Sequence, residues 1–275
     1  MRDRRLTPAN ARVAASRLRG QVAAEEFTDG TPATIAQPVV DLCATPAGAR
    51  DRQMLFGAGV TVFERRDGWA FVQANRDGYV GYVPEAALGA PTDPTHRVTS
   101  PATHIYADDS FKSPDLMQLP FGAQVTVVEE HMRFFETRQG FIPKPHLRPV
   151  GEVFEDPAAV AEMFIGVPYL WGGNSSRGID CSGLIQTAYH ACGFDCGGDS
   201  DMQRDGLGVP LAADADLMRG DLVFWAGHVA MMVDSETMIH ANAHHMAVVY
   251  EGLAQATDRI KTQGDGDILA RRRVL

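Results

Sequence analysis

An internal repeat restricts the fold of this chain more than any other feature. Phe56-Gly-Ala-Gly-Val-Thr-Val62 returns as Phe121-Gly-Ala-Gln-Val-Thr-Val127, 65 residues further on. Gly81-Tyr-Val-Pro84 with Leu88 returns as Gly140-Phe-Ile-Pro143 with Leu147, 59 residues further on. The second copy is therefore six residues shorter between its anchors, and a hairpin is expected to carry the difference. Val-x-Val alternation gives each copy a strand with one buried face. Asp67-Gly68 and Asp77-Gly78 are hairpin turn signals. Each copy has room for about five short strands, the content of a small barrel.

The repeat organises the rest of the chain around it. Residues 1–35 lack strong periodicity and read as an extension that caps something else. Residues 36–92 and 93–150 hold the two all-β copies. Residues 151–275 differ in texture. Phe154-Glu-Asp-Pro-Ala-Ala-Val-Ala-Glu-Met places an N-cap at Asp156 and a proline in the first turn, and predicts a helix ending near Gly166.

Composition bounds the function. The 275 residues carry a formal net charge of −10, which argues against a nucleic-acid partner and against attraction to anionic membranes. The longest apolar run near the C-terminal histidines, Val229 to Val233, is five residues, far short of the ~20 a membrane-spanning helix needs. The Arg-rich start has no apolar targeting segment, so a cytoplasmic protein is expected. Four cysteines, Cys43, Cys181, Cys192 and Cys196, are too sparse for a disulfide scaffold.

The chemistry concentrates in Pro168-Tyr-Leu-Trp-Gly-Gly173, Gly178-Ile-Asp-Cys-Ser-Gly183, Gly220-Asp-Leu-Val-Phe-Trp225 with His228, and Met238-Ile-His240. Asp180 is an N-cap residue type, and Leu184, Ile185, Ala188 and Cys192 follow at helical spacing. Cys181 then lies in the first turn of a buried helix. There the unpaired amides, the helix dipole and a nearby imidazolium are expected to bring its pKa from about 8.5 to below 7. Residues 229–233 and 237–241 read as a hairpin. With an odd loop centred on Ser235, His240 opposes Ala230, and His228 falls two residues along on the same face. One histidine can then act as base while the other orients it.

Together these segments resemble the NlpC-type cysteine peptidases, a papain-like family acting on bacterial cell-wall peptides, over about residues 155–275. The Gly-Tyr-Val and Gly-Phe-Ile endings of the repeat resemble bacterial SH3-like domains. The resemblance implies an α+β fold: a papain-like peptidase domain preceded by two SH3-like barrels. It implies Cys181 as nucleophile, His228 as base and His240 as the third polar residue. It also implies peptide contacts from Tyr169, Asp180 and Ser182, and from Ser200 in Asp199-Ser-Asp-Met-Gln203.

The whole chain is similar to γ-D-glutamyl-diamino-acid endopeptidases, which cut stem peptides between D-Glu and diaminopimelate or Lys. In that subgroup the first SH3-like domain helps require a free N-terminal L-Ala; Tyr79, Tyr82 and Asp51 are the candidates for this role here. No metal or organic cofactor is implied. Cys192-Gly-Phe-Asp-Cys196 beside His190 lacks a second ligand pair at a zinc spacing. His244 and His245 read as exposed hairpin-end residues, and Arg271-Arg-Arg273 as a solvated terminal strand or tail. Expected partners are peptidoglycan-derived peptides, met in recycling of soluble fragments. A secreted or periplasmic wall hydrolase anchored by its SH3-like units, and a catalytically inactive stem-peptide binder, are the two other readings.

Overall fold

The structure is a computed structural model that describes residues 2–274. The chain divides into two compact units between Gly151 and Glu152. The first is all β, and both copies of the repeat in it follow one strand circuit. In the first copy seven antiparallel strands form a single sheet in the order Arg50–Leu55, Val39–Cys43, Val80–Pro84, Trp69–Ala74, Gly59–Arg66, Thr31–Ile35, Leu88–Gly89. The second copy repeats that order with a break. Asp115–Pro120, Ala102–Tyr106, Gly140–Pro143, Phe134–Thr137 and Val127–Glu130 make one sheet, and Gln124–Val125, His96–Val98 and Leu147–Pro149 another. The break falls at Thr126, which corresponds to Thr61 inside the unbroken strand of the first copy.

The hairpins show where the second copy is shorter. In the first copy Asp67 (φ 51°) and Gly68 (φ 78°) both adopt left-handed conformations, which a two-residue turn between twisted strands demands. Residues 75–79 then link the next two strands, whereas the second copy makes that link with Arg138 and Gln139 alone and shortens the preceding strand. The copies also interlock. Phe56 is buried in the second copy's core among Val98, Ile105, Leu119, Val125 and Ile142. Gly57 follows it at φ 82°, and a Cβ there would sit 2.1 Å from the Gln124 carbonyl oxygen. The repeated Phe-Gly pair thus serves as a joint between copies in its first occurrence.

The N-terminal segment caps the first copy: Val13, Ala15 and Leu18 pack on Phe63, Phe71 and Val80. One expectation is corrected. Thr31–Ile35, read as extension, is a strand paired with residues 59–62. It offers only Ala33 and Ile35 as an alternating apolar pair, too short a pattern to announce a strand.

The second unit is α+β. Helix α1 (Pro157–Glu162) is capped by the Asp156 carboxylate, which accepts from the Ala158 amide at 2.9 Å. Its helical bonding stops short of the expected end, and tight turns carry the chain on to Gly166. Helix α2 spans Cys181–Ala191, α3 Ser200–Gly206 and α4 Leu253–Gln263. A six-stranded antiparallel sheet runs in the order Val209–Pro210, Ala270–Arg273, Leu222–Trp225, His228–Met232, Thr237–Asn242, Ala247–Gly252. Ala256 and Ile260 of α4 pack on one face of it against Ala230, Met232 and Met238.

Residues 271–273 form a strand, one of the two expectations for them, half-buried instead of solvated. They lie in a strand flanked on both sides, and Arg273 pairs through two hydrogen bonds with Asp221, whose side chain is 1% exposed. The run of like charge suggests solvent; an acidic group 52 residues away in sequence gives its Arg273 end a buried partner. Among the described residues no helix is long and apolar enough to cross a membrane.

Candidate active site

Asp180 builds the turn that presents the cysteine. Its backbone is extended (φ −99°), and its Oδ1 accepts from the Gly183 amide at 2.6 Å and from the Ser182 hydroxyl at 3.0 Å. Oδ2 accepts from the Gly172 amide at 2.8 Å. One carboxylate thereby caps α2 and ties down the Tyr169–Gly173 segment, satisfying orphan amides of the first turn. Gly183 is required at this junction, because a Cβ would lie 2.3 Å from the Gly173 carbonyl. The Asp180 and Ser182 side chains, read as peptide contacts, are thus engaged in the turn itself.

Cys181 follows as the first helical residue. Its thiol donates to the Gly227 carbonyl at 3.9 Å, and the amides of Val229, Ser182 and Cys181 itself face the sulfur. The expected lowering of its pKa is reversed. Burial, then the charge of Asp180, push the thiol up to about 12, outweighing those amides. The helix terminus favours a thiolate, but a sulfur cut off from water pays a larger desolvation cost. The substrate-free site therefore holds a neutral thiol resting on a carbonyl.

The histidine register is as the odd loop requires. Met231 faces Ile239 and Met232 faces Met238, with Asp234 accepting from the Glu236 and Thr237 amides in the turn. His228 Nε2 and His240 Nδ1 are 2.9 Å apart. Burial lowers both imidazoles, to about 3 for His228 and about 4 for His240, so both are neutral at neutral pH. Tyr169 is half-buried. Burial, with Cys181 and Asp180 nearby, raises its pKa and keeps the phenol protonated.

Ser200 opens α3, and that helix touches the nucleophile turn through Gln203 instead. The buried Gln203 amide donates to the Ser182 carbonyl at 2.8 Å and to the Gly197 carbonyl at 3.0 Å. Tyr79, Tyr82 and Asp51 belong to the first unit and have partners there. Tyr79 is buried beneath the Arg52 guanidinium. The Tyr82 hydroxyl accepts from Asn10 at 3.0 Å, and Asp51 is held by Arg4 at 2.7 and 3.1 Å.

Three residues behind the histidines escaped the sequence reading. Glu251 Oε2 lies 3.0 Å from His240 Nε2, Asn242 Nδ2 lies 2.9 Å from the same nitrogen, and Arg259 donates to both Glu251 oxygens at 3.0 and 2.7 Å. The available signal was one acid in the otherwise apolar strand Ala247-Val-Val-Tyr-Glu-Gly252. His240, His245 and Glu251 bring donor atoms within 4.8 Å of one another. The guanidinium on both carboxylate oxygens opposes a cation there. Cys192 and Cys196 are buried and reduced, and His244 and His245 are exposed.

An activatable cysteine at a helix start, facing a strand whose histidine is backed by a second histidine, defines a papain-like thiol hydrolase. The comparisons agree. Residues 166–261 match the NlpC/P60 family, and residues 42–88 match the bacterial dipeptidyl-peptidase Sh3 domain. The chain carries these two domains and is a cysteine peptidase. It is 29% identical over 242 residues to the gamma-D-glutamyl-L-lysine dipeptidyl-peptidase of Bacillus cereus, covering 73% of this chain and 69% of that one. The protein of the same name from Bacillus subtilis is 29% identical over 217 residues, covering 69% and 71%. The crystal structure of an NlpC/P60 family protein from Bacillus cereus superposes with a TM-score of 0.75 at 22% identity. It covers 89% of this chain and 100% of that one, and so shares the fold.

Proposed function

We propose that this peptidase hydrolyses the γ-D-Glu–diaminopimelate (or Lys) amide of cell-wall stem peptides bearing a free N-terminal L-Ala. The observation that carries the reading is the His228–His240 contact at the strand start where the Gly227 carbonyl and Val229 amide, on either side of His228, meet the Cys181 thiol. The names of the two Bacillus relatives support the choice of bond. The Cys181 sulfur attacks the γ-carbonyl carbon of D-Glu while its proton passes to the free nitrogen of His228. The oxyanion so formed meets the Cys181 and Ser182 amides, with the protonated Tyr169 phenol as a further donor. Collapse breaks the C–N bond, and His228 returns its proton to the departing amine. Water then gives a proton to His228 and attacks the thioester, releasing the γ-carboxylate and regenerating the thiol.

A neutral resting pair suits this sequence of steps, since the base must be unprotonated before attack. Peptides with a free L-Ala amine are no longer joined to glycan, which supports a role in recycling soluble fragments. The test is mass spectrometry of products from L-Ala-γ-D-Glu-diaminopimelate, its Lys counterpart and an N-acetylated control. Release of L-Ala-γ-D-Glu from the free peptides, with the acetylated one left intact, is expected. Equal cleavage of the acetylated peptide or of intact sacculi overturns the recycling role, and absence of the dipeptide product overturns the bond.

A further inference from the structure

We propose that Glu251 is a positioning residue: through His240 it decides which nitrogen of His228 carries the proton. The inference rests on the reading of Cys181 and His228 as the reacting pair. Glu251 faces Met238 across the sheet, two residues from His240 in the adjoining strand, so alternation brings both side chains to one face. Its side chain is 4% exposed and pairs with Arg259, which arrives from α4. A buried carboxylate held by a guanidinium at both oxygens is ionised, and an ionised carboxylate only accepts. The His240 nitrogen 3.0 Å from it must then carry hydrogen.

A neutral imidazole has one N–H. With Nε2 of His240 protonated, its Nδ1 is a lone pair, and His228 Nε2 must donate across the 2.9 Å contact. That leaves the lone pair of His228 on Nδ1, the nitrogen free to take the thiol proton. Asn242 pulls the other way. Its Nδ2, 2.9 Å from His240 Nε2, is satisfied only if that nitrogen accepts. His240 would then donate from Nδ1, and His228 would hold its hydrogen on the nitrogen that must be empty. A hydrogen bond to an ionised acceptor is about twice as strong as one between neutral groups, so Glu251 prevails over Asn242.

The charged and titratable groups facing this line are Asp180 and Tyr169 at the Cys181 end, and Arg259, Glu251 and exposed His245 at the His240 end. Arg259 and Glu251 cancel in net charge. The carboxylate therefore orients the imidazoles without holding them protonated, in keeping with their lowered pKa values.

The test uses the full chain, and its spectra and alkylation rates need no substrate. Long-range ¹⁵N–¹H spectra of ¹⁵N-histidine-labelled protein should show His240 and His228 both protonated on Nε2. In Glu251→Gln the other tautomer should gain population. Iodoacetamide should then modify Cys181 about tenfold more slowly at neutral pH, the change that one pKa unit represents. The alkaline limb of the alkylation profile should move to higher pH, and kcat should fall at unchanged KM. Removing the competing amide as well, in Glu251→Gln/Asn242→Ala, should recover part of the alkylation rate. Protonation of wild-type His240 on Nδ1 overturns the proposal whether or not the variants fold. So does a folded Glu251→Gln that alkylates at the wild-type rate with an unmoved profile. Persistent hydrolysis by Cys181→Ala is a separate outcome that removes the reading of the reacting pair on which the inference stands.

Discussion

Two hairpins in this molecule obey the same alternation and differ in what they bury. In the first unit, Gly59–Arg66 and Trp69–Ala74 turn Val60, Val62, Val72 and Ala74 inward, all apolar and at most 8% exposed. In the second, His228–Met232 and Thr237–Asn242 turn inward Ala230, Met232 and Met238 at one end and His228, His240 and Asn242 at the other. His240 and its neighbour Asn242 are as buried as the valines. An apolar inward face asks only for contact. A polar one asks for a partner at each nitrogen, because an unpaired buried polar group costs about 1–3 kcal/mol. Glu251 and Arg259 meet that demand from a third strand and from α4. The first hairpin is complete as a packing unit; the site hairpin is complete only with what stands behind it.

The sharpest way to separate the two is to substitute each and follow activity and stability together. Cys181→Ala and His228→Asn should abolish tripeptide hydrolysis with little change in unfolding midpoint. His240→Asn should retain a fraction, since an amide still accepts from the His228 N–H. Equal losses in the two asparagine variants would break the assigned division of base and orienting residue.

Acid should act on the second unit next. His228 and His240 titrate near 3 and 4 when folded, against about 6.5 in an unfolded chain. Below pH 6.5 the unfolded state binds protons that the folded state refuses. Stability therefore falls as pH drops from about 6.5 towards 3, by up to about 1.4 kcal/mol per pH unit for each histidine. Urea titrations at stepped pH should show this slope, and His228→Asn should flatten it.

Arg273→Ala should lower the urea midpoint of the second unit, because it removes two hydrogen bonds from the buried Asp221 carboxylate. Val62→Ala should cost the first unit about 2 kcal/mol through a cavity and leave the activity of Cys181 towards iodoacetamide unchanged. A loss of that reactivity on truncating Val62 would mean that the two hairpins are not independent.

Much of this was legible along the chain because it depends on local pattern. The cap at Asp180, the Asp67-Gly68 turn and the pairing that joins His228 to His240 each follow from residues a few positions apart. The strand at Thr31–Ile35 was not legible, since its partner strand defines it. Nor was the placement of Arg273, whose charge is answered by Asp221 far back in the chain.

The thiol's protonation state shows the same division most plainly. From sequence, Cys181 sits at a helix start, and the dipole there favours a thiolate. Desolvation depends on everything packed around the sulfur, which distant parts of the chain supply; it outweighs the dipole and leaves a thiol. Local pattern was enough to read the repeat of two β copies, the residue types of the site and the face that the two histidines share, because two-residue and helical periodicities are properties of neighbours. Which nitrogen carries a proton, which carboxylate stays charged and which face of Asp221 meets an arginine were decided by residues that meet only once the sheet has formed and α4 has packed on it.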